Sequence, residues 1–216
     1  MPQIPNEASK AGKSGVVAKN SALVFYPLTP PLMDDLGTVF RGNWGAGCWC
    51  MYPRLTSAQM RVLPGSGPLN QRRRDAMTAL TRRAIAPGLL AYDGNDPVGW
   101  IAVASRRELA RIDNSRATPP VDAEEVWVIP CITVRKTARG RGIAVALIRA
   151  AVAYAIENGA AIVEAYPRAG AEHTNDDNVY FGTEPLFRRA GFRVVRQPME
   201  NRPRNWLPRV AMRHGA

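Results

Sequence analysis

Cysteine is scarce in this chain, which has only three among 216 residues. Three cysteines are too few, and odd in number, for a disulfide framework, so we expect reduced thiols. Cys48 and Cys50 are two positions apart and could join Cys131 or His173 around a metal ion. Structural zinc sites need four ligands at more regular spacing, so the sequence predicts packing of small apolar thiols and no bound metal.

Long apolar runs are also missing. Arg149 interrupts the best candidate for a membrane-spanning helix, and no run reaches the roughly 18 uncharged residues that a span requires. Residues 1–20 contain no apolar signal core and are rich in Pro, Asn, Ser, Gly and Lys, which is typical of a flexible tail. We therefore expect no membrane partner, a cytoplasmic location and one folded domain over residues 21–216.

Acidic residues are few, since 18 carboxylates stand against 29 lysines and arginines and the formal net charge is +11. The arginines are spread along the chain, with neither an aromatic–basic RNA motif nor a Cys/His finger, which argues against nucleic acid as a partner. A generally positive surface attracts a polyanionic cofactor or an acidic partner. A basic RNA-associated or ribosome-associated protein is the alternative interpretation of this charge.

One motif of six residues, here called the phosphate cradle, carries most of the functional information: Arg139, Gly140, Arg141, Gly142, Ile143 and Ala144. A β-branched run precedes it at 127–134 and an Ala-rich stretch follows it from Ile143 to Glu157, which predicts strand, glycine loop and helix. The glycines allow a tight turn, and the unpaired amides of the helix's first turn attract anions. The arginines add forked donors for phosphate oxygens, so we predict that the cradle binds a pyrophosphate.

Two common phosphate loops do not fit this spacing. A Walker loop requires Gly-Lys-Ser/Thr after four intervening residues, and a Rossmann loop requires Gly-x-Gly-x-x-Gly. The pattern Arg139-x-x-Gly142-x-Ala144 instead resembles the signature Arg/Gln-x-x-Gly-x-Gly/Ala of the GNAT superfamily of acyl-CoA-dependent N-acetyltransferases. A strand at 161–166 and the segment 186–192, which resembles the helix-ending Gly-Phe of that family, follow in the matching order. The resemblance covers about residues 88–196.

The resemblance implies a fold and a reaction. The fold would be α/β (α+β), a single GNAT-like domain with a mixed, mostly antiparallel sheet, flanking helices and splayed central strands. The protein would bind acetyl-CoA as acyl donor and move the acetyl group directly to a primary amine of a small-molecule or peptide acceptor. A catalytically impaired acyl-CoA-binding sensor or scaffold is the alternative, and either could form a homodimer.

Periodicity and turn residues place the elements of the chain. We predict strands at 22–26, 89–92, 98–104, 192–195 and 210–213, and helices from Pro31 onward and over 70–85. Residues 48–52 favour a short strand or an extended loop. Trp44, Trp49 and Tyr52 either form an aromatic wall for a flat or apolar acceptor or fill the core.

Pro130 is unusual inside the strand that leads to the cradle. Proline cannot donate to a β-ladder, so this strand should be bulged or separated from a neighbour there. By resemblance, the pantetheine arm of the cofactor would lie in that gap, with Ile132 and Val134 supplying backbone contacts. Phe187 joins the same cofactor-binding set, at a position where the family usually has tyrosine.

Acetyl transfer requires a base for the ammonium proton and an acid for the leaving thiolate. Glu125, at the start of the cradle strand, and Glu164, on the following strand, are candidate bases, although either could instead pair with an arginine. Phe187 has no proton to give, so Tyr180 and Tyr166 are the candidate acids, with water as an alternative. Either phenol could also be a satisfied buried hydroxyl.

Overall fold

The computed structural model describes residues 23–43, 46–170, 180–204 and 206–215, so the predictions for the 1–20 tail, Trp44 and His173 lie outside the described residues. The seven strands are β1 Leu23–Pro27, β2 Gly88–Asp93, β3 Asp96–Ser105, β4 Val126–Val134, β5 Ile162–Ala165, β6 Arg193–Arg196 and β7 Ala211–His214. The α-helices are α1 Met33–Phe40, α2 Ser57–Arg61, α3 Leu69–Leu80, α4 Ala110–Asp113, α5 Ile143–Glu157 and α6 Glu184–Arg189.

The strands form one sheet in the order β1-β2-β3-β4-β5-β7-β6. β4 and β5 run parallel, and every other neighbouring pair is antiparallel. The helix α5 connects the two parallel strands, as a parallel pair requires a crossover connection. The expected single α/β domain with a mixed, mostly antiparallel sheet is confirmed.

The two faces of the sheet bury different elements. On one face, Leu147 and other residues of α5 pack in a cluster with residues of the strands, among them Ile101 of β3 and Ile129 of β4. The approach is close because Gly99 of β3 has no side chain, and a Cβ there would lie 2.8 Å from Leu147 Cδ1. On the other face, α1 and the 46–63 region pack against Trp100 and Cys131.

The central strands β4 and β5 separate part of the way along their length. Residues 126–129 pair with 162–165, and the pairing stops there. β4 carries one extra residue at this point, because Ala102 and Ala104 of β3 face Cys131 and Val128 respectively. The bulge that Pro130 predicts and the splayed central strands are therefore confirmed, and they open a gap beside the second half of β4.

Two element predictions need correction. The helix predicted over 70–85 ends at Leu80, because the amides of Arg82 and Arg83 bond to carbonyls only three residues back, which tightens and closes the last turn. Residues 48–52 form turns rather than a strand, because Trp49 and Cys50 have φ values of 49° and 55°. The strand and α5 predictions around the cradle agree with the structure.

Candidate functional site

The phosphate cradle leads from β4 through a short 3-10 turn into α5. Gly140 and Gly142 have φ values of 78° and 76°, which favour glycine over residues with a Cβ. No atom lies within 4 Å of an ideal Cβ built at either position, so the loop is open on the side its glycines face. This geometry leaves room for a ligand to approach the backbone closely.

The first turn of α5 supplies donors to the same space. Its first intrahelical bond runs from the amide of Ala146 to the carbonyl of Gly142, at 3.1 Å. The preceding amides, those of Ile143, Ala144 and Val145, have no intrahelical acceptor. Gly142 is the N-cap and provides no capping side chain, so these N–H groups and the positive end of the helix dipole are available to an anion.

The cradle's two arginines are already held by neighbouring side chains. Arg139 donates to Asn43 Oδ1 at 3.2 Å, and Arg141 donates to Asp93 Oδ2 at 2.5 Å, at the end of β2. Both guanidinium groups remain exposed. They place positive charge around the cradle. To bind a phosphate, Arg141 would have to release Asp93 or donate to Asp93 and the phosphate together.

Backbone donors of β4 face the gap. The amide of Arg135 bonds to Val98 of β3 at 2.9 Å. Because amides alternate between the two edges of a strand, those of Ile132 and Val134 point away from β3 and into the gap. The Ile132 amide is engaged there, since it donates to the carbonyl of Tyr180 at 2.8 Å.

The segment 180–183 therefore lies between the diverging strands. It bonds β4 through the carbonyl of Tyr180, and on the other side the carbonyl of Gly182 accepts from the amide of Arg168 at 3.1 Å. Arg168 and Thr183 also form a parallel bridge. The segment 180–183 thus narrows the gap at its closed end, next to Ile132.

Tyr180 is the candidate acid that the structure brings to the gap. Its ring makes an edge contact with Tyr52, with centroids 6.2 Å apart, and packs on Phe181 at 4.6 Å. Burial raises the pKa of its phenol to about 12, and Cys131 and Cys48 lie close enough to add to this shift. The phenol therefore keeps its proton at neutral pH while standing beside the gap-lining half of β4.

Glu164 and Tyr166 lie together in a buried polar network away from the cradle. The Tyr166 hydroxyl donates to Glu164 Oε2, and Arg213 Nε donates to Glu164 Oε1 at 2.8 Å. Arg106 donates to the same Tyr166 oxygen at 2.5 Å, and burial raises the pKa of the Tyr166 phenol. Both carboxylate oxygens of Glu164 are thus occupied, and its side chain is fully buried.

The remaining two predicted site residues stand apart from the gap. Glu125 is exposed and pairs with Arg107, and it precedes Pro130 by five positions, or about 16 Å along a strand. Phe187 has no exposed surface and packs edge-on against Phe192, with ring centroids 5.0 Å apart. The structure therefore presents neither side chain to the gap, and their functional roles stay predictions.

The three cysteines are free thiols, and Cys50 and Cys131 are buried on the face opposite α5, as the sequence predicts, whereas Cys48 is only partly buried. Cys50 Sγ accepts from Trp100 Nε1 at 3.2 Å. A hydrogen bond from Cys131 lowers the pKa of Cys50 and raises that of Cys131. In the described ranges no group of three or more potential metal ligands is assembled.

A comparison with protein families identifies the family of this chain. The model of the GNAT acetyltransferase family matches residues 54–192, which include the cradle, β4, α5, β5 and α6. The chain belongs to the GNAT acetyltransferase family. No curated protein sequence matches it.

Solved structures support the GNAT fold. A GNAT-family acetyltransferase from Bacillus anthracis superposes with a TM-score of 0.52 at 11% identity, covering 93% of this chain and 98% of the other. The loading GNATL domain of CurA from Lyngbya majuscula gives 0.51 at 11% identity, with 89% and 97% covered. An uncharacterized Bacillus halodurans protein gives 0.53 at 14% identity, with 89% and 83% covered. At these identities the likeness concerns the fold alone.

None of the helices in the described ranges has the length and apolar character needed to cross a bilayer.

Sequence reasoning missed the arginines that organise the face of the GNAT sheet opposite α5. Arg106, Arg209 and Arg213 all lie there, buried or half-buried. The sequence did carry a signal for Arg213. Successive residues of a strand face opposite sides of the sheet, so Arg213 must lie on the side opposite to Met212. Arg106 begins a single 3-10 turn after β3, and Arg209 lies in an irregular segment before β7, so no periodicity in the sequence reports the direction of either side chain.

Proposed function

We propose that this GNAT protein is an N-acetyltransferase that uses acetyl-CoA and acetylates a primary amine by direct transfer. The observation that carries the proposal is the open cradle: two left-handed glycines with free space at their Cβ positions, at the uncapped start of α5. This arrangement suits a diphosphate, which the nucleotide end of CoA contains. The adjoining gap in the sheet suits its extended arm.

The residues present fit the cofactor in two places. The amides at residues 142–145 would hold the diphosphate, and the amides of Val134 and Ile132 would pair with the pantetheine arm. The Ile132 amide would first have to release the Tyr180 carbonyl. When bound, acetyl-CoA supplies an activated thioester as the source of the acetyl group.

Tyr180 is the proposed proton donor to the departing thiolate sulfur. It is the one predicted acid beside the gap, and its raised pKa keeps it protonated over the physiological range. Glu164 is not proposed as a direct base, because Tyr166 and Arg213 occupy its two oxygens. The ammonium proton of the acceptor would leave through water, and Glu164 would position Tyr166 and Arg213.

The cradle is tested by Gly142→Asp. The carboxylate would stand against the diphosphate, and like-charge contacts of this kind cost several kcal/mol, so we expect CoA affinity to fall about 100-fold or more. Calorimetric titration of CoA and acetyl-CoA measures this. Amide shifts of residues 139–146 in an NMR titration locate the binding.

Gly67→Asp is the matched control, because Gly67 also has a positive φ, of 92°, and open space at its Cβ position, far along the chain in an exposed loop. Its CoA affinity should equal that of the wild type. Equal affinities in wild type and Gly142→Asp would overturn the assigned cradle. Thiol release from acetyl-CoA with a panel of amines then distinguishes a transferase from a sensor, which would bind CoA without turnover.

A further inference from the structure

Two arginines in and just before the last strand, β7, differ in whether carboxylates of the described residues pair with them. Arg213 forms a bidentate pair with Asp122 at 2.7 Å and a second pair with Glu164 at 2.6 Å. Within the described residues, the side chain of Arg209, four positions earlier, makes one hydrogen bond, from Nη1 to the carbonyl of Tyr166 at 3.0 Å. No carboxylate in the described part of the chain pairs with Arg209, so its charge is uncompensated there.

Arg209 stands at one end of a row of stacked rings beside the gap. Its guanidinium lies over Phe181, 4.3 Å from the ring centroid. Phe181 contacts Tyr180, and Tyr180 contacts Tyr52. The far end of the row is Arg111, whose guanidinium lies 4.2 Å from the Tyr52 centroid. We call these five residues the stacked row.

The two ends of the stacked row differ in their remaining donor capacity. Arg111 donates to the carbonyls of Tyr52 and Leu55 and contacts Ser57 Oγ at 3.3 Å, so it holds the 52–57 segment in place. A guanidinium has five N–H groups, and Arg209 uses one of them. Among the residues that the structure describes, the Nε and Nη2 groups of Arg209 have no acceptor, so they remain for a ligand.

Leaving a half-buried cation without a counter-charge costs stability. Burial lowers the pKa of Arg209, whereas Tyr180 and Tyr52 oppose this shift and the positive charge of Arg168 adds to it. Guanidinium groups stacked on a ring keep their in-plane donors directed outward, which suits bidentate binding of a carboxylate or a phosphate. An oxyanion from a ligand would supply the missing charge.

The position of Arg209 connects it to acceptor choice. Arg209 and Tyr52 both lie outside the segment 54–192 that the family model matches, whereas the cradle lies inside it. Tyr180 belongs to both the stacked row and the gap, since its carbonyl bonds to Ile132. We propose that the stacked row is an acceptor subsite in which Arg209 binds an oxyanion, carboxylate or phosphate, carried by the amine substrate; this rests on the proposed transferase function.

Binding is tested first without any transfer step. Benzoate and phenyl phosphate are titrated into the full chain, with and without saturating CoA, and benzamide serves as the neutral probe. We expect one of the two oxyanions to bind at least about tenfold more tightly than benzamide, as charge-assisted bonds are roughly twice as strong as neutral ones. NMR shifts of the Arg209 Nε–Hε signal in the wild type report the contact directly.

Arg209→Met should reduce oxyanion affinity at least about tenfold, while Arg209→Lys should retain part of it. Arg204→Met is the control, because Arg204 is exposed on the same C-terminal segment. Removing an uncompensated cation should leave the melting temperature equal or higher. A lower melting temperature with unchanged oxyanion binding would show that Arg209 only supports Tyr166, and would overturn the subsite.

Matched amines then separate the two proposals. Tyrosine is compared with tyramine, and phosphoethanolamine with ethanolamine, so that each pair differs by the oxyanion and the pairs distinguish carboxylate from phosphate. We expect the member that carries the oxyanion to react faster in at least one pair, and we expect Arg209→Met to lose that preference. Equal transfer to both members of each pair, unchanged in Arg209→Met, would overturn the subsite and leave the transferase standing. Oxyanion binding without transfer to any amine would overturn the transferase and leave oxyanion binding by Arg209 standing.

Discussion

On one face of the sheet, α5 packs against small and aliphatic side chains, and 13 of the helix's 15 residues are apolar, with Arg149 and Glu157 as the charged exceptions. On the other face, the strands meet aromatic rings, thiols and arginines whose charges are largely paired with carboxylates. The first face depends on shape and apolar area. The second depends on hydrogen bonds and charge, and it borders the gap where acceptor chemistry is proposed.

The two faces also differ in how much of each belongs to the segment that the GNAT family model matches. The cradle and α5 belong to the segment matched by the GNAT family model, and they present backbone amides rather than side chains to a ligand. The opposite face is completed by residues from outside that segment, such as Arg209 and Arg213. Under the proposed function, cofactor binding would therefore depend on the common backbone, and acceptor binding on this chain's own side chains.

The largest expected effect on stability is on the α5 face. Leu147 is fully buried against Gly99, with its Cδ1 positioned 2.8 Å from where a Cβ would stand, so Leu147→Ala leaves a cavity that small neighbours cannot fill. We expect the free energy of unfolding to fall by about 3 kcal/mol. Urea denaturation followed by circular dichroism measures it.

Ile156→Ala is the control for this comparison, because Ile156 belongs to the same helix and is 52% exposed. Its effect should stay within about 0.5 kcal/mol. If Leu147→Ala were equally mild, α5 would not be tightly packed on the sheet. The contrast between a face determined by shape and a face determined by charge would then be lost.

The next expected effect is on catalysis at the opposite face. Tyr180→Phe removes the proposed proton donor while keeping the ring contacts with Tyr52 and Phe181, so kcat should fall about 100-fold with CoA affinity unchanged. Because the pKa of Tyr180 is about 12, its deprotonation should not reduce the wild-type rate below about pH 10. Steady-state kinetics across pH measures both.

Tyr166→Phe provides the opposite pattern. The Tyr166 hydroxyl is bonded to Glu164 and Arg106 and lies in a buried network, so its loss should lower stability and leave kcat near the wild-type value. If Tyr166→Phe abolished turnover and Tyr180→Phe did not, the roles of the two tyrosines would have to be exchanged.

These roles mark the limit of what the sequence could predict. The strand, cradle and α5 were predictable because a 3.6-residue period, two glycines and Pro130 each constrain the backbone locally. The network around Glu164 was not, because Arg213 comes from a distant segment and meets Glu164 only when β5 pairs with β7, and Asp122 is more distant still from Arg213 along the chain. The position of Tyr180 likewise depends on a loop whose path is set by its bond to Ile132 rather than by periodicity.

The smallest expected effect concerns the charge of that network. Glu164→Gln keeps an oxygen acceptor for Arg213 but removes a fully buried negative charge, so we expect a loss of about 2 kcal/mol in unfolding free energy. Activity should follow the folded fraction. A loss of turnover in fully folded Glu164→Gln would instead return Glu164 to the role of direct base.

Asp122→Asn is the partner experiment, because Asp122 binds the same guanidinium from a more exposed position. Hydrogen bonds from Arg213 lower the pKa of Asp122 to about 2, from an ordinary value near 3.8. A lowered pKa means that the carboxylate stabilises the fold above about pH 4, and that this contribution is lost as the pH falls through about 2. The stability difference between wild type and Asp122→Asn should therefore be constant near neutral pH and shrink below pH 4. A difference that persisted unchanged at pH 2 would show that the Asp122 side chain acts through packing rather than through its charge on Arg213.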